Sequence, residues 1–157
     1  MVLASGTHKV TNSVEAGEFA KSIHGMVRVL LHRLQPIVES EGISKGQFMA
    51  MHVLSNVSVA SVNDVARHLA VSAPSMCVTV DQLEEAGLVT RNRSSRDRRT
   101  VEVSLTPKGQ KVEARVWAMI EKDVAGAIAD LPRSEVATTT RVIREMSRRL
   151  DVTQGSC

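Results

Sequence analysis

Between Ser61 and Gly87 the chain has room for two short helices and a tight corner, and for little else. Ser61-Val62-Asn63-Asp64 puts a hydroxyl at a helix start with an acid three residues on, close to a capping box. The spacing predicts a short helix over Val62 to Leu69, broken by Ala70-Val71-Ser72. Ser72 then caps a second helix with Pro74 in its first turn, where the missing N–H has no partner to lose. That helix runs to about Ala86 and stops at Gly87, a residue that takes a left-handed conformation without steric cost. Ala66 is small where the partner helix must approach. Leu69 and Val71 are expected to fill the corner, and Val78, Val80 and Leu83 to face the core.

Longer helices flank this pair. From Ser13 to about Glu39, Phe19, Ile23, Met26, Val27, Leu30, Leu31 and Leu34 recur at three- and four-residue steps, giving an amphipathic helix that Pro36 ends or bends. Glu41-Gly42-Ile43-Ser44 reads as a stop and a new cap, opening a helix through Phe48, Met51, Val53 and Leu54. After Gly87 come two β-prone runs, Gly87 to Thr90 and Thr100 to Leu105. Thr106-Pro107 starts a helix through Val112, Val116, Met119, Ile120, Val124 and Ile128. A break at Asp130-Leu131-Pro132 leads to a last helix through Val136, Ile143, Met146 and Leu150. The expected fold is mainly α with a small two-stranded β-wing: four helices, a hairpin, two helices.

The hairpin tip is strongly basic. Residues 91–99 hold five arginines and one aspartate, a local charge of +4 in a chain of formal charge +3, so the remainder sums to −1. Arginine is planar, always charged and suited to phosphate oxygens and narrow grooves. A basic hairpin after a helix pair suits a wing gripping DNA; the same residues also suit a solvated arginine loop. The second helix would offer Ser72, Ala73, Pro74, Ser75, Met76, Cys77, Thr79 and Gln82 to a groove, its N-terminal amides facing phosphate.

Other classes fit poorly. Phe19, Phe48 and Trp117 are the only aromatics, too few to stack the bases of a single strand. No apolar run approaches the roughly 18–20 residues of a membrane span, and the N-terminus lacks a signal-peptide layout, so a cytoplasmic protein is expected. Cys77 and Cys157 suit neither a disulfide framework nor a zinc ribbon. Without a glycine-rich phosphate loop, metal cluster or nucleophile elbow, neither an enzyme, a cofactor nor a metal is expected.

The stretches Ser61 to Leu69, Val71 to Met76 and Asp81 to Val89, and above all Asp97-Arg98-Arg99-Thr100-Val101-Glu102-Val103-Ser104-Leu105-Thr106-Pro107-Lys108-Gly109, resemble the multiple-antibiotic-resistance regulator (MarR) family. The resemblance covers about residues 15–150. It implies a homodimeric winged helix-turn-helix transcription regulator on double-stranded DNA, with dimerisation helices at 13–42 and 106–151 and a DNA-binding lobe at 44–105. Such proteins read palindromes and are commonly repressors released by a small, often anionic aromatic effector. The terminal helices independently carry more apolar surface than one small winged domain covers. By resemblance Arg99 enters the minor groove, oriented by Asp97. Arg91, Arg93, Arg96 and Arg98 are expected on phosphates, with Ser94 and Ser95 between them and Ser61 at the lobe's DNA side. Where many relatives have Thr-Arg in the recognition helix, this chain has Cys77-Val78, which removes a base-reading arginine.

Two sets of residues bear on regulation. His24, Arg28 and His32 sit four apart on the first helix, suiting an anionic ligand or simply a solvated face, and Met49, Met51 and His52 suit the same cavity or the core. Cys77 suits an oxidant sensor, or a small cysteine in place of threonine. The remaining alternative is a winged-helix module that binds protein instead of DNA.

Overall fold

The computed structural model describes residues 13–93 and 101–154, and the chain divides into two compact units, Met1–Val116 and Trp117–Cys157. The order is α1 (Ser13–Ser40), α2 (Lys45–Val57), β1 (Ala60–Ser61), α3 (Val62–His68), α4 (Ala73–Glu85), β2 (Val89–Arg93), β3 (Val101–Leu105), α5 (Pro107–Ala127) and α6 (Arg133–Gln154). This is the expected winged helix-turn-helix, with one addition. The two residues of β1 join the wing, Ala60 opposite Val103 and Ser61 opposite Glu102, making a three-stranded antiparallel sheet in the order β1-β3-β2.

Three helices of the first unit stop in the same way. After α1, Gly42 takes φ +72°, and the Ile43 N–H donates to the Val38 carbonyl at 3.1 Å. After α4, Gly87 takes φ +70°, and the Leu88 N–H donates to the Leu83 carbonyl at 2.8 Å. After α3 the left-handed position is Ala70, φ +53°, with the Val71 N–H on the Ala66 carbonyl at 3.0 Å. Each bond answers a carbonyl that the ending helix would leave unpaired. Ile43 and Leu88, the residues after the glycines, are buried, whereas Val71 is exposed, so the corner is filled from Leu69's side only.

Pro36 does not end α1. It removes one amide donor, but Leu34 and Val38 are buried one turn apart on either side of it, and that packing carries the helix to Ser40. Beyond α1's C-terminal part the apolar stripe is uncovered: Phe19, Met26, Val27, Leu30 and Leu31 are all exposed. The core lies in the first unit. Phe48, Met51 and Leu54 of α2, Val65 of α3, Val80 and Leu83 of α4, Val103 of β3 and Val116 of α5 are fully buried there. Arg115 of α5 forks onto Glu41, just after α1, at 2.8 and 2.6 Å. Those hydrogen bonds, outweighing the cost of desolvation, hold the Glu41 carboxyl below its usual pKa.

Candidate nucleic-acid interface

Ser72 caps α4 as its sequence requires: its hydroxyl accepts from the Ser75 N–H at 3.3 Å and donates to the Ser75 hydroxyl at 2.8 Å. Thr79, partly buried, donates to the Ser75 carbonyl at 3.1 Å. The outer face is Pro74, Ser75, Cys77, Val78 and Gln82, with Ala73 partly covered. Two expectations are corrected here. Met76 is 3% exposed and belongs to the core, while Val78 is 56% exposed and belongs to the outer face. An α-helix turns about 100° per residue, so Val78 and Val80 lie about 200° apart and cannot share a face. Met76, Val80 and Leu83 follow the i, i+4, i+7 rule and do. The outer surface at the centre of the helix is therefore apolar, able to meet a thymine methyl and unable to donate to a base edge.

Gln82 is oriented by a relay. The Ser44 N–H donates to Gln47 Oε1 at 2.8 Å, which leaves the Gln47 amide nitrogen to donate to Gln82 Oε1 at 3.2 Å. With its oxygen engaged, Gln82 presents its N–H groups. Ser61 caps α3, accepting from the Asp64 N–H at 3.1 Å and donating to the Asp64 carboxylate at 2.7 Å. That bond first, and then Arg67 at 2.9 Å, lowers the Asp64 pKa.

The wing strands pair from Val89 opposite Leu105 to Arg93 opposite Val101. Arg93 is exposed on the last rung. Ser94, Ser95, Arg96, Asp97, Arg98 and Arg99 lie outside the described residues. Arg91 is not a free phosphate arm. Its guanidinium contacts Asp81 and Glu84 of α4, each at 2.6 Å, and its side chain is only one-quarter exposed. Desolvation works against its charge, but hydrogen bonds to the two carboxylates outweigh it and raise the pKa. Arg91 thus neutralises two acids on α4 and fixes that helix to β2.

The candidate sensor residues separate. His24, Arg28 and His32 line one open groove of about 410 Å³, with Val27 and Leu31 as its apolar part and Lys45 as a fourth basic group. Met49 and His52 do not line it. Met49 is exposed on α2, and Met51 is in the core. His52 Nδ1 is 2.8 Å from the Glu113 carboxylate of α5, which also accepts from the Ser55 hydroxyl at 3.3 Å. Glu113 is 9% exposed, so His52 and Ser55 supply the hydrogen-bond partners without which its burial would be costly.

Residues 41–100 match the sequence profile of the MarR family. Along 134 residues the chain is 27% identical to a putative transcriptional regulatory protein for the hcr operon of Thauera aromatica, covering 85% of this chain and 81% of the relative. It is 21% identical to the HTH-type transcriptional repressor MdtR of Bacillus subtilis, over 85% and 88% of the two chains. The fold superposes on a MarR family protein from Bacillus stearothermophilus with a TM-score of 0.82 at 21% identity, over 90% of this chain and 99% of the other. It superposes on Staphylococcus aureus MarR in complex with salicylate and kanamycin with a TM-score of 0.77 at 23% identity, over 88% and 93%.

The chain has the winged-helix fold of these MarR structures.

Within this winged-helix unit, sequence reasoning missed Lys45, Glu113 and the carboxylate pairing of Arg91. Glu113 and His52 are 61 residues apart, and nothing local marks the pair. Arg91 had a signal in principle, since Asp81 and Glu84 share one side of the preceding helix, but a basic run draws attention to charge and away from its neutralisation. Among the described residues no helix is long and apolar enough to cross a membrane, and no group of three His, Cys, Asp or Glu side chains is placed to hold a metal ion.

Proposed function

We propose that this DNA-binding transcription regulator is a cytoplasmic homodimeric repressor that occupies a palindromic operator and is released by a small anionic effector. The observation that carries DNA binding is α4 itself. A hydroxyl-capped helix with small side chains at its exposed N-terminal end lies beside a hairpin leading into the arginine-rich run 94–99. Ser72, Ser75, Val78 and Gln82 meet the major groove, Ala73, Pro74, Cys77 and Thr79 shape its approach, and Arg93, Arg96 and Arg98 meet phosphates. Arg99, oriented by Asp97, enters the minor groove.

Dimerisation through 13–42 and 106–151 is supported by the exposed Phe19, Met26, Leu30 and Leu31 of α1 and by exposed Met119, Val124, Ile143 and Leu150 in the second unit. Apolar surface of that extent calls for a partner. A two-fold axis then places two copies of α4 roughly 34–36 Å apart, one turn of DNA. Repression is supported by the B. subtilis relative, and the effector class by the salicylate complex of the S. aureus protein. His24, Arg28, His32 and Lys45 beside Val27 and Leu31 suit a carboxylate carried on an apolar ring. Ligand there shifts the population toward a spacing of recognition helices that no longer fits successive grooves.

Selection from a randomised duplex pool at two salt concentrations tests the reading. The expected product is a palindrome with half-sites one turn apart, weakened by salt and lost with Arg99→Ala. No enrichment of any duplex would refute it. An exposed thiol on the recognition helix favours one second reading, release by oxidant through Cys77. A Cys77→Ser protein that loses its response to peroxide would establish that route.

A further inference from the structure

At the C-terminal end of α4, five carbonyls between Leu83 and Leu88 have identified donors. The Leu83 and Glu84 carbonyls accept from the N–H groups of Leu88 and Gly87, at 2.8 and 2.9 Å. Those of Ala86, Gly87 and Leu88 are answered from one segment, Thr106 to Lys108. Lys108 Nζ donates to the Ala86 carbonyl at 2.8 Å. The Thr106 hydroxyl donates to the Gly87 carbonyl at 2.7 Å, and the Thr106 N–H donates to the Leu88 carbonyl at 3.0 Å. The same hydroxyl accepts from the Gly109 N–H at 3.0 Å, so it caps α5 while holding the end of α4. A Cβ on Gly109 would lie 2.0 Å from the Leu88 oxygen, so only glycine allows the two backbones to approach this closely.

We infer that Thr106, Lys108 and Gly109 form a seat that sets the angle of the recognition helix, and that Lys108 is a positioning residue for DNA binding and not a phosphate contact. The inference rests on α4 being the DNA-reading helix. The chemistry is direct. The end of α4 carries the negative pole of its peptide dipoles, and the seat brings to it an ammonium group and the amino-terminal end of α5. Arg91 holds the same helix from the wing side through Asp81 and Glu84. Together they fix the exposed N-terminal end of α4, several turns away, by gripping its far end. The seat lies on the first turn of α5, so a tilt of that helix is passed to α4 through three hydrogen bonds.

A phosphate contact and a positioning contact differ in their response to salt. A lysine on phosphate releases a counterion, and removing it lowers the slope of log K against log salt by about 1. With the duplex selected by the native chain, Lys108→Met is expected to bind about tenfold more weakly at every salt concentration, the scale of one charge-assisted hydrogen bond, with the slope unchanged. Thr106→Val should weaken binding similarly, and Thr106→Ser, which keeps the hydroxyl, should restore it. A slope reduced by about 1 for Lys108→Met makes Lys108 a phosphate contact and overturns the inference. Unchanged affinity for both Lys108→Met and Thr106→Val, with far-UV circular dichroism unaltered, overturns it too. A native chain that enriches no duplex removes the DNA reading itself, and the inference falls with it; that failure is recognisable because it precedes any substitution.

Discussion

The two ends of α4 are built on opposite plans. At the N-terminal end one serine satisfies one amide, the outer side chains are short, and Ser75, Cys77 and Val78 face outward with little around them. At the C-terminal end five of the six carbonyls from Leu83 to Leu88 each have a donor, and Arg91 adds two ion pairs. A helix that must present one end to a changing partner is best anchored by the other. Rigidity at the anchored end lets the free end remain unpaired, because amides left open there can be satisfied by phosphate oxygens.

The largest effect should come from forcing the anchored end apart. In Gly109→Ala the new methyl meets the backbone of Leu88, which has no rotamer to yield. The expected loss is about 4 kcal/mol or more, near the top of what single substitutions do. Urea denaturation measures it, and a loss under about 1 kcal/mol would mean the two segments separate easily and the anchor is weak.

Next comes the contrast between two neighbouring side chains. Met76→Ala should cost about 3 kcal/mol, a core deletion, while Val78→Ala should change stability by less than about 0.5 kcal/mol and alter base preference instead. Equal stability costs would place the rotation of α4 wrongly. This is also where the sequence was legible in kind and misread in detail. The caps at Ser44, Ser61 and Ser72 and the stops at Gly42 and Gly87 could be placed from residue chemistry alone, and with them the order of helices. The rotation of α4 was available too, in the Met76-Val80-Leu83 spacing, but three valines at 71, 78 and 80 obscured it. The strand Ala60–Ser61 has two residues, too few for any alternation to show. The seat was beyond reach of local pattern: Thr106-Pro107-Lys108-Gly109 reads as a helix start, and its second task exists only where α4 ends against it.

A smaller change is expected at the open end. Ser72→Ala removes the cap of α4 and should cost about 1 kcal/mol of stability. It should weaken duplex binding by more than that stability loss implies, because the first turn that faces phosphate frays. Thermal melting and binding with one protein preparation separate the two. Binding that survives intact would mean the N-terminal turn plays no part in contact.

The smallest effect tests the corner that precedes this end. Ala70 occupies the left-handed position that Gly42 and Gly87 occupy in the two matching stops. An alanine there meets a steric cost of roughly 1–2 kcal/mol, which glycine escapes. Glycine gives back about 0.5–1 kcal/mol through the greater freedom of its unfolded chain. Ala70→Gly should therefore stabilise the first unit by roughly 0–1.5 kcal/mol, raising the melting temperature by at most a few degrees. The Val71 amide bond to Ala66 involves only backbone and survives the change. The corner sets where α4 begins, so a relaxed corner that also loosens binding would show that the strained alanine helps hold the open end in register. Unchanged binding would leave orientation to the anchored end alone.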